Sequence, residues 1–241
     1  MRPFRLRPIP LIATVLLVAL GIALGNWQER RAAQKIAVKQ RLAQRSAEAP
    51  LLLGPIPTPL EPLEFRRVRV TGQFLANWPV FLDNRPYRGR SGFYLVMPFK
   101  IAGSDTYVLV ARGWLPRDVA LHDKLPAYAT PPGQVSIEGV VTGSPGRVLQ
   151  LGTPAPLRPN AIVQNVDVQG FAQASGLKLQ PFFVEQAGAG QQGDGFVRDW
   201  PAPSLGIEKH QGYAFQWYAL AVMAFLFFVI TGFRSGTKHN G

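Results

Sequence analysis

Two long apolar runs bracket this chain, and everything between them alternates on a shorter scale. The first run extends from Ile9 to Leu24. The second is wholly apolar from Ala219 to Ile230 and, counted from Tyr213 to Phe233, is about 21 residues long. At ~1.5 Å rise per residue, a helix of that length crosses a hydrocarbon core of ~30 Å. Gly232, Arg234 and Lys238 close it on the far side. The pattern predicts a domain held to a membrane at both ends.

The N-terminal run has features of a signal peptide: Arg2, Arg5 and Arg7 precede it, Pro8 and Pro10 open it, and Ala23 and Gly25 offer a cleavage spacing. It is long for such a segment, however, and Trp27 follows where an interfacial aromatic anchor belongs. Glu29 to Ala47 then contains no Pro or Gly and is rich in good helix formers. The expectation is an uncleaved anchor helix that continues into a basic stalk. Within it, Gly21-Ile22-Ala23-Leu24-Gly25 is a GxxxG, with Ala19 one turn before Ala23. Small residues at this spacing let two membrane helices approach closely. Ala214, Ala221 and Ala224 form a matching stripe on the second run.

Pro50, Pro55, Pro57, Pro59 and Pro62 read as an extended linker. Short runs rich in Val, Phe and Tyr follow. They are Phe65–Phe74, Pro79–Leu82, Gly92–Phe99, Tyr107–Trp114, Val135–Val141, Ala161–Val166 and Phe182–Gln186, with Phe196–Arg198 as a further candidate. Several alternate, as antiparallel strands with one buried face do. A short helix fits at Asp167 to Ala174, capped by Asn165 or Asp167 and ended by Gly176. Gly188, Gly190, Gly193 and Gly195 lack the following helix and lysine of a phosphate loop and read as a hairpin tip. The fold class expected is two terminal transmembrane helices flanking one mostly-β antiparallel domain, a small barrel or sandwich, with a short helix. The divisions are an anchor at 1–25, stalk and linker at 26–62, an exported β-rich domain at 63–209, a second span at 210–233 and a basic tail at 234–241.

Composition narrows the chemistry. With no Cys, three His and three Met, the chain has no disulfide framework and no means to gather soft metal ligands. Of the net charge of +12, residues 1–50 supply +7, from nine Lys and Arg against two Glu. Basic flanks beside membrane spans answer to anionic lipid, and no nucleic-acid motif accompanies the charge. The positive residues at the termini and in the stalk balance, so charge alone does not orient the domain. A short basic N-terminus before a first apolar run favours export.

No GxSxG, HExxH, Walker or dinucleotide motif occurs. His122 beside Asp123 reads as a surface loop histidine, and His239 lies in the tail. Asp83 with Arg85, and Asp118 with Arg117, read as surface ion pairs. The six arginines among residues 66–90 read as a solvated strand-and-turn surface, or as a face for an anionic partner. His210 differs by its place. It stands one turn before Tyr213 and two before Trp217, at the entry to the second span. An ionisable residue there is a functional hypothesis, and imidazole is a common metal and haem ligand. A histidine bonded to headgroups or to the domain is the other reading.

Four phrases then come together in order: Arg67-Val68-Arg69-Val70-Thr71-Gly72-Gln73-Phe74; Asp83-Asn84-Arg85-Pro86 with Gly89 and Gly92-Phe93; Val108-Leu109-Val110 leading to Arg112-Gly113-Trp114-Leu115-Pro116; and His210-x-x-Tyr213-x-x-Gln216-Trp217. Set around two terminal spans, the chain resembles the surfeit-locus-one family of cytochrome c oxidase assembly proteins over nearly its whole length. The resemblance implies a non-enzymatic, chaperone-like assembly factor that holds or delivers haem a, bound transiently, to the oxidase catalytic subunit. It implies His210 as the metal ligand, with Tyr213, Gln216 and Trp217 beside the cofactor. The partners it implies are that subunit, proteins of haem a synthesis or assembly, and membrane lipid. A bacterial inner membrane with a multi-pass chain and a periplasmic domain is the expected location. The alternative is a scaffold that steadies an oxidase subunit without haem. In the Arg112-Gly113-Trp114 phrase, Gly113 is expected to turn the chain at a strand end, Trp114 to cover the barrel mouth, and Arg112 to meet a buried carboxylate or carbonyls.

Overall fold

The computed structural model describes residues 7–121, 124–150, 152–188, 194–201 and 206–234. The chain divides into two compact units, one of Met1–Arg41 with Pro203–Gly241, the other of Leu42–Ala202. The first holds most of helix α1, Pro8–Ala47, and all of α4, Ile207–Arg234. Each helix is long and apolar enough to cross a membrane, so the expectation of a multi-pass chain becomes one of two candidate spans among the described residues. With no helix breaker between Gln28 and Ala47, α1 runs on without interruption from the apolar run into the basic stalk.

The second unit is built on strands β1 Leu51–Leu52, β2 Arg67–Phe74, β3 Val80–Leu82, β4 Gly92–Ile101, β5 Thr106–Pro116, β6 Val135–Thr142, β7 Ala161–Val163 and β8 Lys178–Gln186. Their order is β1-β2-β6-β8-β5-β4-β3-β7, and an additional β2–β4 pairing closes β2, β6, β8, β5 and β4 into a barrel. Full closure removes the exposed edges of those five strands. The sheet is mainly antiparallel, but β1·β2, β3·β7 and β5·β8 run parallel. In β2 the inward set Val68, Val70 and Phe74 is buried while Arg69, Thr71 and Gln73 are exposed.

Strands β4 and β5 depart from simple alternation because both their faces are covered. Phe93, Leu95, Met97, Phe99, Val108 and Val110 fill the interior. Tyr94, Val96, Leu109, Ala111 and Trp114 form a second core on the outside. That outer core lies under Phe171 of helix α3, Val168–Ser175, with Val197 and Trp200 packed against it. Asp167 caps α3, its side chain accepting from the backbone N–H of Gly170 at 2.7 Å, and left-handed Gly176 ends it.

Several sequence expectations need correction. The proline-rich linker is not uniformly extended, since it contains β1 and the single helical turn α2, Leu60–Leu63. Strand β8 begins at Lys178 rather than Phe182, and Pro181 lies where its pairing with β5 is irregular. Val197 makes only an isolated bridge to Trp114. The glycine-rich hairpin tip falls largely on residues 189–193, outside those described, as do His122, Asp123 and His239.

Candidate functional site

The two long helices pack through small residues, as the GxxxG and alanine stripe anticipate. On α1, Gly21, Gly25 and Ala32 are buried, and on α4, Ala214 and Ala221. A Cβ at Gly21 would lie 2.9 Å from both Ala221 Cβ and the Trp217 carbonyl oxygen, and one at Gly25 would strike the Tyr218 ring. Contacts that climb α1 therefore descend α4, so the helices are antiparallel. Only glycine permits this approach. Leu16, Leu17, Leu20, Phe215, Phe225 and Phe227 point outward and stay exposed, as suits hydrocarbon rather than water.

Polar side chains bridge this seam at one end. His210 Nδ1 lies 2.7 Å from Gln28 Oε1, and the Tyr218 hydroxyl donates to Asn26 Oδ1 at 2.7 Å. Gln28 follows Gly21 by seven residues and Gly25 by three, and precedes Ala32 by four, so it belongs to the same helix face. That spacing could have singled out Gln28 from sequence alone.

At ~100° of rotation per residue, Trp217 lies about 20° round the helix from His210, Tyr213 about 60° and Gln216 about 120°. Trp217 therefore shares the seam with His210. Tyr213 stands on its flank and is 52% exposed. Gln216 is exposed, further round on the same flank. An apolar groove of about 360 Å³ opens on the Tyr213 side of the seam, between Leu17, Leu20 and Gly21 on α1 and Trp217, Ala224 and Phe227 on α4. Among the described residues no group of three His, Cys, Asp or Glu gathers to hold a bare metal ion. A single imidazole, two turns from that groove, could supply one ligand to a metal that brings its own macrocycle.

Residues 15–222 match the model of the SURF1 family. The chain belongs to the SURF1 family. It is 28% identical to a SURF1-like protein of Rickettsia felis, over 87% of this chain and 90% of the relative. It is 26% identical to Surfeit locus protein 1 of Mus musculus, over 89% of this chain and 73% of the relative. The cytochrome oxidase assembly protein SHY1 of Saccharomyces cerevisiae is 33% identical over 43% of this chain and 27% of its own length.

In this SURF1-family chain the Arg112 phrase is structural, and of the contacts expected for Arg112 it is the carbonyl that is found. Leu95 pairs with Gly113 and Val96 with Ala111, so Arg112 is an extra residue in β5. This bulge places Arg112 among the buried residues, at 1% exposure, and leaves Trp114 in the outer core. Among the described residues Arg112 meets no carboxylate in an ion pair. Its guanidinium donates to the Ala129 carbonyl at 2.8 Å and the Thr130 hydroxyl at 2.9 Å, and stacks 4.6 Å from the Phe74 and Phe196 rings. Burial lowers its pKa to about 10. Gly113 lies within the strand, not at its end, with φ +146°, because Phe196 and Val197 cross there. Trp114 packs outside rather than over a barrel mouth, and its indole N–H donates to the Arg85 carbonyl at 2.7 Å.

The arginines of residues 66–90 are largely engaged within the domain. Arg66 pairs with Glu48, and Arg67 and Arg69 share Glu138. Arg85 turns inward and donates to the carbonyls of Asp83 and Gln164, so Asp83 pairs with Arg117 at 3.1 Å instead. Asp118 pairs with Lys124, not Arg117. These pairs leave Arg88 and Arg90 as the exposed remnant of the proposed anionic-partner face, with Arg88 over the Tyr87 ring.

Proposed function

We propose that the protein is a membrane-bound, non-enzymatic assembly factor for haem-copper cytochrome c oxidase, and that it holds or delivers haem a through His210. Membership of the SURF1 family, and similarity to SHY1, a cytochrome oxidase assembly protein, support the assembly role. The haem part rests on one observation: His210, the only histidine in either span, places one ring nitrogen against Gln28, two helical turns from an apolar groove that begins at Trp217 and Gly21. Haem a is here the cargo, an iron macrocycle with a long hydrocarbon tail. Imidazole supplies a ligand to the iron, while Trp217 and the groove supply surface for the hydrocarbon. Tyr213 edges that surface. Gln216 lies on the same flank of α4 as the groove residues Met223 and Phe227.

In this reading the β-barrel domain grips the oxidase catalytic subunit, and proteins of haem a synthesis supply the cargo. The location is a bacterial inner membrane with the domain in the periplasm. A second reading, a scaffold without haem, draws on the same hydrogen bond, since an interhelical bond alone is a reason for a half-buried histidine. An absorption spectrum of the detergent-purified protein, from a host that makes haem a, separates the two. A haem a signal in wild type that disappears in a folded His210→Ala variant is the expected result. A colourless wild type, with oxidase subunits still co-purifying with both forms, would overturn it in favour of the scaffold.

A further inference from the structure

We infer that Gln28 is a positioning residue for His210. Its side-chain carbonyl holds the imidazole in the Nδ1–H tautomer and leaves Nε2 as the free, ligating nitrogen. The inference rests on the haem reading above for the purpose of that nitrogen, but the hydrogen bond itself stands apart from it.

The argument begins with the donor and acceptor inventory. With Gln28 Oε1, an acceptor only, facing the ring at 2.7 Å, the proton between them is assigned to His210 Nδ1. A neutral imidazole carries a single N–H, so Nε2 then carries a lone pair. In water, free histidine favours the opposite tautomer, with the proton on Nε2. The partner is thus selecting the form in which Nε2 can bind iron. No other hydrogen bond of His210 competes for the ring among the described residues.

Placement supports the assignment. Gln28 is not a chance neighbour on a mobile surface: it shares the face of Gly21, Gly25 and Ala32, whose small side chains set the spacing of the two helices. Tyr218 and Asn26 make a second bond across the same seam. Both helix backbones are therefore fixed where the Gln28 carbonyl meets the ring. Groups that orient a metal-binding histidine through its other nitrogen change affinity typically 10–100-fold when removed.

The test reads the tautomer directly. The full chain, free of haem in detergent and labelled with 15N-histidine, is observed by NMR at about pH 8.5, where an ordinary imidazole is neutral. Loss of one signal set in His210→Gln assigns it among the three histidines. The expected result is an Nδ1–H tautomer in wild type, retained in Gln28→Glu, which keeps an acceptor, and shifted towards Nε2–H in Gln28→Leu. An Nε2–H wild type, or an unchanged tautomer in Gln28→Leu, would overturn the inference. Titration of the same proteins with haem a then separates the two levels. If wild type binds through His210, Gln28→Leu should bind about 10-fold or more weakly while Gln28→Glu stays near wild type. Equal binding by Gln28→Leu would refute the positioning role and leave the haem reading intact. Absence of binding by wild type, with the tautomer pattern as expected, would refute the haem reading and leave tautomer control by Gln28 standing.

Discussion

Glu185 offers a sharp test of how the outer core is built. It lies on β8 between Ala111 of β5 and Val140 of β6, next in sequence to buried Val184. Among the described residues it makes no hydrogen bond or ion pair. Burial alone pushes its pKa from 4.5 to about 7. The charged groups nearby act through Tyr94, whose own pKa is raised by burial first, then by Glu185, with Arg85 opposing and Asp199 adding.

The sign follows from proton counting. Between pH 4.5 and about 7 the folded protein holds the Glu185 proton and the unfolded chain does not, so stability falls as pH rises. The contribution is fully present below 4.5 and lost as pH climbs through about 7. At roughly 1.4 kcal/mol for each tenfold change in acidity, the ionised carboxylate destabilises the fold by up to ~3 kcal/mol at pH 8. Glu185→Gln removes the ionisation and keeps the shape. Its advantage over wild type should grow by about 2–3 kcal/mol between pH 5 and pH 8. Any packing change made by the amide is independent of pH and cancels in that comparison. Denaturant unfolding of the detergent-solubilised full chain, followed by tryptophan fluorescence at both pH values, gives the number. An advantage that is equal at pH 5 and pH 8 would refute the argument that a half-buried carboxylate lacks a partner there.

Two further outcomes follow from the packing. Arg112→Lys should lower stability by about 2–4 kcal/mol, because a point charge cannot bond Ala129 and Thr130 together while stacking on Phe74 and Phe196; a Tm within a degree of wild type would contradict this. Gly21→Cys combined with Ala221→Cys should form a disulfide within the chain under mild oxidation once the helices part by about 1 Å, since the Cβ positions, 2.9 Å apart as packed, lie just inside the ~3.5–4.5 Å a disulfide spans and the chain has no other cysteine. Ile22→Cys with Ala221→Cys, from the exposed side of α1, should not, and comparable yields by mass spectrometry would argue against the observed helix pairing.

What the sequence disclosed and what it hid have separate physical causes. The spans, most strands and the capped helix α3 are local features, set by runs of 4 to 30 residues whose period or caps can be read directly. The GxxxG likewise reports its own packing, because only close approach explains two glycines on one face. The parallel pairings of β1, β7 and β8 were not legible, since each joins residues far apart with no turn between them to fix direction. The Arg112 bulge was hidden for a related reason: one extra residue is visible only against its partner strand. Arg85 and Asp83 are adjacent in the way that suggests an ion pair, but burial of Arg85 sends its guanidinium to carbonyls instead. At the candidate site, His210 and Trp217 share the seam, and Tyr213 and Gln216 follow on the flank from which the groove opens.

The choice of histidine at position 210 carries more information than its bond to Gln28. A helix pair that needed only a polar clasp already has one in Tyr218 and Asn26. Small or amide side chains would supply another at lower desolvation cost, and each interhelical bond in a membrane contributes only about 1 kcal/mol. Imidazole differs from those alternatives in one respect relevant here: after one nitrogen is engaged, a second, basic nitrogen remains on a rigid ring. Gln28 fixes the first nitrogen, and the glycines at 21 and 25 fix the distance across which it does so. The seam thus uses close packing, which glycine alone permits, to orient a single side chain. That expense is hard to explain by helix association, which the small residues already achieve, and easy to explain if the second nitrogen has a ligand of its own.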